Sequence, residues 1–198
     1  MKLRVLALTG MPASGKGAIA EHLKRLGYPV VAMGDVVRYH YMREVGGELH
    51  PDKVGEYAGR MREVYGPDVW ARRTLEYLRE RYPGGGVVVI DGIRSLAEVE
   101  LFRRELGGDF LLVAVEAPEE VRFKRALERG RGDDIRTMEE FRRRDLRELS
   151  WGLGEVIGAA DLRLDNSGHL DRALKDLFSS ESVKKLLEVK ESEAFHRS

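Results

Sequence analysis

An eight-residue glycine-rich segment, GMPASGKG at residues 10–17, constrains this chain more than any other feature. It follows an apolar run typical of a buried strand and directly precedes a helical pattern, the context in which such a segment forms a phosphate-binding loop. Gly10 and Gly15 allow backbone conformations closed to other residues, so successive N–H groups can surround an anion at the positive end of the helix. Lys16 is predicted to neutralise the β- and γ-phosphates of ATP and to act in catalysis. The predicted nucleotide-binding residues of the loop are Gly10, Met11, Pro12, Ala13, Ser14, Gly15, Lys16 and Gly17.

Short apolar runs bounded by Gly or Pro alternate with helical patterns along the chain. Ser95 with Glu98, and Thr137 with Glu140, fit capping boxes that start two of the helices. Regular alternation of strand and helix predicts an α/β P-loop NTPase fold with three layers, in which helices cover both faces of a five-stranded parallel sheet. The predicted strands are 3–10, 28–33, 86–92, 110–117 and 160–166.

The composition narrows the range of functions. Lys plus Arg equals Asp plus Glu at 34 each, so no overall field attracts nucleic acid or an anionic membrane. The chain has no cysteine, and no stretch approaches the roughly 20 apolar residues of a membrane span. The first residues enter a strand pattern without a signal peptide, so a cytoplasmic location is expected. Glutamine is also absent and charged residues make up 34%, which is typical of thermophilic proteins; composition bias in a GC-rich genome is the alternative.

The loop departs from the usual pattern at Gly17 and Ala18, where a Ser or Thr hydroxyl normally binds magnesium. Direct protein ligation of Mg²⁺ is therefore not expected. Phosphate oxygens and waters fixed by carboxylates can hold the ion instead, because Mg²⁺ dehydrates reluctantly. Asp91, at the end of the third predicted strand, is the leading candidate for this role and for a part in catalysis, with Asp35 as the second. An Asp91 that only caps the turn before Gly92 is the alternative.

Four segments carry a family resemblance: GMPASGKG at 10–17, MGDVVR at 33–38, DGIR at 91–94 and RGRGDD at 129–134. In this order they resemble the adenylate kinases and UMP/CMP kinases. They are more closely similar to an uncharacterised archaeal family of kinase-like P-loop proteins that is sometimes compared with dephospho-CoA kinases. The resemblance extends to about residue 175.

The resemblance implies a nucleoside-monophosphate-kinase-like organisation. A single domain would cover residues 1–178, with a helical acceptor-binding insertion at about 34–82. A short arginine-rich lid would lie at about 122–148. Residues 179–198 are expected to form a polar C-terminal helix and a tail.

The predicted acceptor site rests on arginines in two of these segments. In the related kinases, GD-x-x-R and DG-x-x-R segments place arginines on the acceptor phosphate, which implies that Gly34, Asp35, Arg38 and Arg94 line that site here. Arginine also suits this role independently of family, because its planar fork binds phosphate bidentately and keeps its charge. The alternatives are a surface position for Arg94 before a capped helix, and solvation or an ion pair for Arg38.

The arginine-rich segment suggests a flap that closes over the phosphates. Phosphoryl transfer requires positive charge on oxygens that gain charge, and it requires the exclusion of water. Acidic residues nearly balance these arginines, so a pair of solvated helices joined by ion pairs is the alternative. The predicted lid residues are Arg125, Arg129, Arg144 and Arg131, of which Arg131 fits the family pattern best and is expected to act in catalysis.

Two further features bear on the bound nucleotides. Asn166 is the only asparagine and follows the fifth predicted strand, where a hydrogen bond to the adenine base, a hydrogen bond to the loop and a plain turn are all open. Aromatic residues in the insertion could stack on an acceptor base, although core packing is favoured. They are Tyr39, Tyr41, Tyr57, Tyr65 and Trp70.

The sequence predicts a phosphotransferase that uses ATP and Mg²⁺ and a phosphate-bearing small-molecule acceptor. Dephospho-CoA kinase activity is the enzymatic alternative. A nucleotide-dependent switch or slow ATPase that acts on a partner is the alternative from another class, and the missing loop hydroxyls favour it. Roles directed at nucleic acid are disfavoured by the neutral charge. Adenylate kinases read their acceptor base partly with a glutamine, which this chain lacks, so simple AMP phosphorylation is not expected.

Overall fold

The computed structural model describes residues 2–47, 49–129 and 136–187. Its strands are β1 (Leu3–Thr9), β2 (Val30–Ala32), β3 (Gly86–Asp91), β4 (Phe110–Glu116) and β5 (Leu162–Asp165). Within the described residues these strands form one sheet in the order β2-β3-β1-β4-β5, and every pairing in it is parallel. The predicted five-stranded parallel α/β architecture is confirmed.

Helices connect the strands and cover both faces of the sheet. No helix in the described part of the chain is long and apolar enough to cross a membrane. The helices are α1 (Lys16–Arg25), α2 (Met33–Glu44), α3 (Pro51–Tyr65), α4 (Val69–Arg81), α5 (Leu96–Leu106), α6 (Glu119–Arg129), α7 (Met138–Ser150), α8 (Leu153–Gly158), α9 (Leu170–Ser179) and α10 (Glu181–Leu187).

The central strand β1 faces a separate hydrophobic core on each side, because successive side chains of a strand point to opposite faces. Val5 and Ala7 pack against α2 to α5 and α8, whereas Leu6 and Leu8 pack against α1, α9 and α10. All four side chains are fully buried. The sheet is therefore covered on both faces, as a parallel sheet requires.

The second strand is shorter than the sequence predicts. Pro29 has no N–H to donate, and its carbonyl accepts from Val89 N at 2.8 Å. The strand therefore begins at Val30, and α2 begins at Met33 directly after it. Ala32 pairs with Asp91 of β3, so the start of α2 lies beside the carboxyl end of β3.

The C-terminal helix differs from the polar helix expected there. Val183, Leu186 and Leu187 of α10 are buried and belong to the core that α1 and α9 cover. Apolar residues at i, i+3 and i+4 form one face of this short helix. α10 is therefore packed onto the domain.

Parallel strands bring their carboxyl ends to one edge of the sheet, and ligands bind beyond that edge in folds of this kind. β1 ends at Thr9, immediately before the glycine-rich loop, and its neighbour β3 ends at Asp91. Leu8 is paired with Asp91 in the register of the two strands. The fold thus places Asp91 next to the loop.

Candidate active site

The glycine-rich loop has a backbone suited to an anion. Gly10, Ala13 and Gly15 have φ angles of 142°, 60° and 105°, and α1 begins at Lys16 directly after them. Such conformations turn successive N–H groups toward a common centre at the positive end of a helix. Residues 10–15 therefore form the turn that the sequence predicts between β1 and α1, and Lys16 and Gly17 begin the helix.

Two loop glycines are packed so closely that no side chain fits. A Cβ atom at Gly10 would lie 2.2 Å from Val115 O, and one at Gly15 would lie 2.0 Å from Asn166 Nδ2. Gly17, in the first turn of α1, has no neighbouring atom within 4 Å of such a Cβ. Gly10 and Gly15 therefore leave no room for a side chain, whereas the described protein atoms leave room at Gly17.

Gly15→Ala is expected to lower nucleotide affinity at least about tenfold, because the methyl group clashes with Asn166 and the left-handed backbone is strained by about 1–3 kcal/mol. Gly55→Ala is the matched control: Gly55 lies inside α3, away from the loop, and no atom lies within 4 Å of a Cβ added there, so this variant should keep nucleotide affinity and raise the melting temperature through a helix propensity better by about 1 kcal/mol. Titration calorimetry and thermal unfolding of both variants measure these effects. Equal affinities in the two variants would contradict the tight packing at Gly15.

Lys16 lies folded over its own loop. Its Nζ donates to Gly10 O at 2.8 Å and to Met11 O at 3.3 Å. Burial lowers the pKa of the Lys16 ammonium, and the negative charges of Asp91 and Glu148 partly offset that shift. The two carboxylates therefore lie close enough to stabilise the charged lysine.

Two guanidinium groups also act on the Lys16 ammonium. Arg94 and Arg129 each lower the pKa of Lys16 further by like-charge repulsion. These five charged side chains, Lys16, Asp91, Arg94, Glu148 and Arg129, are called the charged crevice here, because ligands of such folds bind in a crevice beyond the carboxyl ends of the strands. It joins the loop, the end of β3 and the helices α6 and α7 at the edge where the strands end.

Asp91 has the features of a carboxylate that holds a cation through water. Its Oδ1 is buried and has no hydrogen-bond partner among the described residues. The same is true of Thr9 Oγ1 at the end of β1 and of Ser14 Oγ in the loop. The described residues contain no group of three or more His, Asp or Glu side chains that could hold a metal ion. A magnesium ion carried by phosphate oxygens and waters fits this donor set.

Asp35 is placed differently from Asp91. It is exposed in the first turn of α2 and forms an ion pair with Arg38, one turn further along the helix. Arg38 also lies over Gly34, where an added Cβ would be 3.6 Å from its Nη1. The ion pair considered for Arg38 is therefore present, and the acceptor-binding role of Gly34, Asp35 and Arg38 stays a prediction.

Arg94 is held at the charged crevice from several sides. The backbone N–H of Arg94 donates to Glu98 Oε2 at 2.8 Å, and its guanidinium Nη1 lies 3.7 Å from Glu148 Oε2. Glu98 also completes the predicted capping box with Ser95. Burial raises the pKa of Glu98, while the N–H groups of Arg94 and Ser95 and the charge of Arg62 oppose the rise. The backbone at Arg94 is thus fixed by a buried carboxyl group.

The arginines predicted for the lid lie in different places. Arg125 donates to Ser14 O at 3.3 Å and to Gly168 O at 3.1 Å, so it contacts the loop backbone. Arg129 borders the charged crevice, and Arg144 is half-buried on α7. Arg131 lies outside the described residues.

A buried ion pair links α6, α7 and the loop. Arg122 donates to Asp145 at 3.0 and 2.6 Å, with both side chains less than 10% exposed. Arg122 also donates to Pro12 O at 3.2 Å and to Ala117 O at 3.1 Å. Sequence reasoning missed this pair, although helical spacing puts Arg122 on the same face of α6 as Arg125 and Arg129.

Glu148 was also missed. With Phe141 and Asp145 it forms the buried face of α7. Positions i, i+4 and i+7 share one face of a helix, so the spacing signals that this face is inward. The signal was obscured because two of the three residues are carboxylates.

Asn166 braces the loop. It is buried directly after β5, its Nδ2 donates to Ser14 O at 2.8 Å, and its N–H donates to Glu116 O at 2.8 Å. Of the possibilities open from the sequence, the structure contains the hydrogen bond to the loop.

Of the five aromatic residues considered in the insertion, some are buried and others are exposed. Tyr41, Tyr57 and Trp70 are buried in the core, whereas Tyr39 and Tyr65 are exposed. Three of these five rings therefore pack as the favoured alternative predicts.

Comparisons with known proteins agree with this architecture. A family model described as an AAA domain matches residues 9–142. The UPF0200/UPF0201 protein of Archaeoglobus fulgidus is 46% identical over 168 residues, and the alignment covers 85% of this chain and 52% of that protein. This chain thus spans about half the length of that relative. The UPF0200 protein of Methanosarcina barkeri is 42% identical over 175 residues, which cover 88% of this chain and 92% of the relative.

Solved structures share the fold at low sequence identity. A gluconokinase from Sinorhizobium meliloti aligns with a TM-score of 0.55 and 18% identity, covering 95% of this chain and 96% of that one. A shikimate kinase from Bacteroides thetaiotaomicron aligns with a TM-score of 0.57 and 14% identity, covering 94% and 99%. The fold is therefore that of P-loop kinases, and the predicted relationship to an archaeal kinase-like family is confirmed. The chain belongs to the UPF0200 family of archaeal proteins, built on a P-loop kinase-like AAA domain.

Proposed function

We propose that this protein is an ATP-binding phosphotransferase that moves the γ-phosphoryl group of ATP to a nucleotide-like small molecule. The observation that carries the proposal is the charged crevice: the loop with Lys16 follows β1, Asp91 ends the strand paired with β1, and Arg94 lies 3.7 Å from Glu148. A loop that binds only a nucleotide has no need of a second arginine-bearing segment at its side. The kinase-like fold supports nucleotide-dependent phosphoryl transfer in general.

The proposed step is an in-line displacement. An oxygen atom of the acceptor attacks the γ-phosphorus, the bond from the γ-phosphorus to the β–γ bridging oxygen breaks, and ADP leaves with the electron pair. No covalent bond to the protein forms. Catalysis then consists of positioning and of charge stabilisation.

Each residue has a role in that step. Lys16 would leave the carbonyls of its own loop to neutralise charge on the β- and γ-phosphates, and Arg94 would bind the acceptor's anionic group. Magnesium, when bound, neutralises charge on the phosphate oxygens, and Asp91 would hold it through water. Arg125 and Asn166 would keep the loop backbone in position, because both bond to Ser14 O.

A nucleotide-dependent switch or slow ATPase is the second candidate. The observation that favours it is the lack of a hydroxyl at Gly17 and Ala18. A weaker hold on magnesium would slow transfer and leave binding as the main activity. Such a protein would turn over ATP at one slow rate regardless of small-molecule acceptors.

An acceptor screen separates these candidates. ATP consumption is measured at elevated temperature with Mg²⁺, with each nucleoside monophosphate and with dephospho-CoA, beside a reaction without acceptor. Stimulation by one compound, with the phosphorylated product identified by its mass, supports the transferase; a product from dephospho-CoA identifies the alternative kinase activity. A slow rate that no acceptor changes contradicts the transferase and favours the switch.

Arg94→Ala tests the acceptor side of the crevice. We expect acceptor kcat/KM to fall about 10- to 100-fold, the effect of losing a hydrogen bond to a charged group. ATP affinity should change much less, because the hydrogen bond and ion pair described for Arg94 go to Glu98 and Glu148 rather than to the loop. Arg104→Ala, at an exposed position on the neighbouring helix α5, is the matched control. Steady-state kinetics and ATP titration measure both. Unchanged acceptor kinetics in Arg94→Ala would place the acceptor elsewhere.

A further inference from the structure

Trp151 presents an exposed aromatic ring at the edge of the charged crevice. It directly follows α7, and the indole is 51% exposed. The next residue, Gly152, has φ 93°, and a Cβ there would lie 3.9 Å from Arg94 O. The end of α7 therefore turns against the loop that carries Arg94.

Two guanidinium groups lie against this indole. The Cζ atoms of Arg94 and Arg147 are 5.7 and 5.5 Å from the ring centroid. Arg94 is also 3.7 Å from Glu148, which borders the crevice. An aromatic surface and two cations thus occur together where the proposed acceptor binds.

The other aromatic candidates are less suitable for stacking. Trp70 is fully buried, and Tyr41 and Tyr57 are buried with it. Tyr39 is engaged by Arg43, which lies 5.3 Å from its ring and donates to its hydroxyl at 2.9 Å. Tyr65 is exposed as well, but the guanidinium that faces its ring, at 5.9 Å, is that of Arg73, whereas Trp151 faces Arg94 of the proposed acceptor site.

We propose that the Trp151 indole stacks on an aromatic ring of the acceptor, and that the acceptor's anionic group binds Arg94 and Arg147. This inference rests on the proposed function and narrows its substrate class to nucleoside monophosphates and similar compounds that join an aromatic ring to a phosphate. A sugar phosphate without an aromatic ring would bind the two arginines but leave the indole exposed.

The chemistry of the surface supports this class of ligand. A base stacked on an aromatic side chain contributes roughly 10- to 100-fold in affinity and tolerates any base, because every base has a π-face. The two guanidinium groups attract an anion but would repel a cationic ligand.

Tryptophan fluorescence provides a direct test, because the chain has two tryptophans and only Trp151 is exposed while Trp70 is 0% exposed. Iodide should quench the emission of Trp151. With ADP and Mg²⁺ present to occupy the loop, we expect adenosine and cytidine 5′-monophosphates to protect this emission from iodide. Ribose 5-phosphate, which has the phosphate but no aromatic base, should protect it far less.

Binding measurements on substituted chains complete the test. Trp151→Leu should bind the nucleoside monophosphates about 10- to 100-fold more weakly and ribose 5-phosphate as well as before, whereas Trp151→Phe should retain most of the affinity. Calorimetry with ADP present measures all three. Equal weakening for both ligand types would mean that the indole only positions Arg94, and it would overturn the proposal. Absence of nucleotide protection in the unsubstituted chain would overturn it as well.

The outcomes are separable from those of the transfer assay. Nucleotides that protect Trp151 without becoming phosphorylated would refute the transferase and leave the stacking site standing. Suppose instead that the acceptor has no aromatic ring and that Trp151→Leu phosphorylates it at the original rate. That result would support the transferase and overturn the proposed stacking on Trp151.

Discussion

Lys16→Ala is expected to lower ATP-dependent turnover about 100- to 1,000-fold, the usual effect of removing one preorganised group that stabilises charge in a transition state. Lys16 is the charged residue of the loop that is proposed to hold the phosphates. Its effect should be large because burial reduces solvent screening of the ammonium. Steady-state kinetics with the best acceptor, and ATP titration, measure the loss.

The fold of this variant should survive. The Lys16 ammonium is held at a cost in desolvation, which its lowered pKa reflects, so alanine removes an unfavourable burial together with two hydrogen bonds. Lys24→Ala is the matched control, because Lys24 is an exposed lysine on the same helix, and it should leave turnover and melting temperature unchanged. Full turnover in Lys16→Ala would refute the role of the loop.

Asp145→Ala is expected to destabilise the protein by about 3–5 kcal/mol, because it leaves the Arg122 guanidinium buried without its partner. For a chain of this length the melting temperature should fall by roughly 10 °C. Nucleotide affinity should fall as well, since Arg122 also bonds to Pro12 O in the loop. Chemical denaturation and nucleotide titration measure the two effects separately.

The same pair of helices supplies the control. Arg142 of α7 and Glu119 of α6 form an ion pair at 2.7 Å on the exposed surface, where water screens the charges. Arg142→Ala should leave the melting temperature unchanged. A double variant, Arg122→Leu with Asp145→Leu, should recover much of the stability, because replacing both partners avoids an unpaired charge. Equal losses in Asp145→Ala and Arg142→Ala would show that burial does not matter here.

Local chemistry explains why so much of the fold was predictable. Strands β1 to β4 are mostly apolar runs, and β5 alternates apolar and charged residues. Both capping boxes, Ser95 with Glu98 and Thr137 with Glu140, form as predicted. The loop was predictable for the same reason, because its glycines, its lysine and the following helix are adjacent in the chain. The length of β2 was not, since it depends on Pro29 and on where α2 begins.

The parts of the site that sequence reasoning missed depend on contacts between distant residues. Arg122 and Asp145 are 23 positions apart, and nothing in either local pattern identifies the partner. Trp151 is conspicuous only because the turn at Gly152 brings it against Arg94. Charged side chains on an amphipathic helix usually face solvent, so the buried carboxylates of α7 contradicted the expectation for such residues.

The buried pair has one more consequence, which concerns how two substrates influence each other. Through Asp145 and Arg122, α7 is tied to the loop proposed for ATP, and through Glu148 and Trp151 it is tied to Arg94. A shift of this one helix would change both binding sites at once. Thermodynamic reciprocity then requires that any factor by which ATP tightens acceptor binding is also the factor by which the acceptor tightens ATP binding.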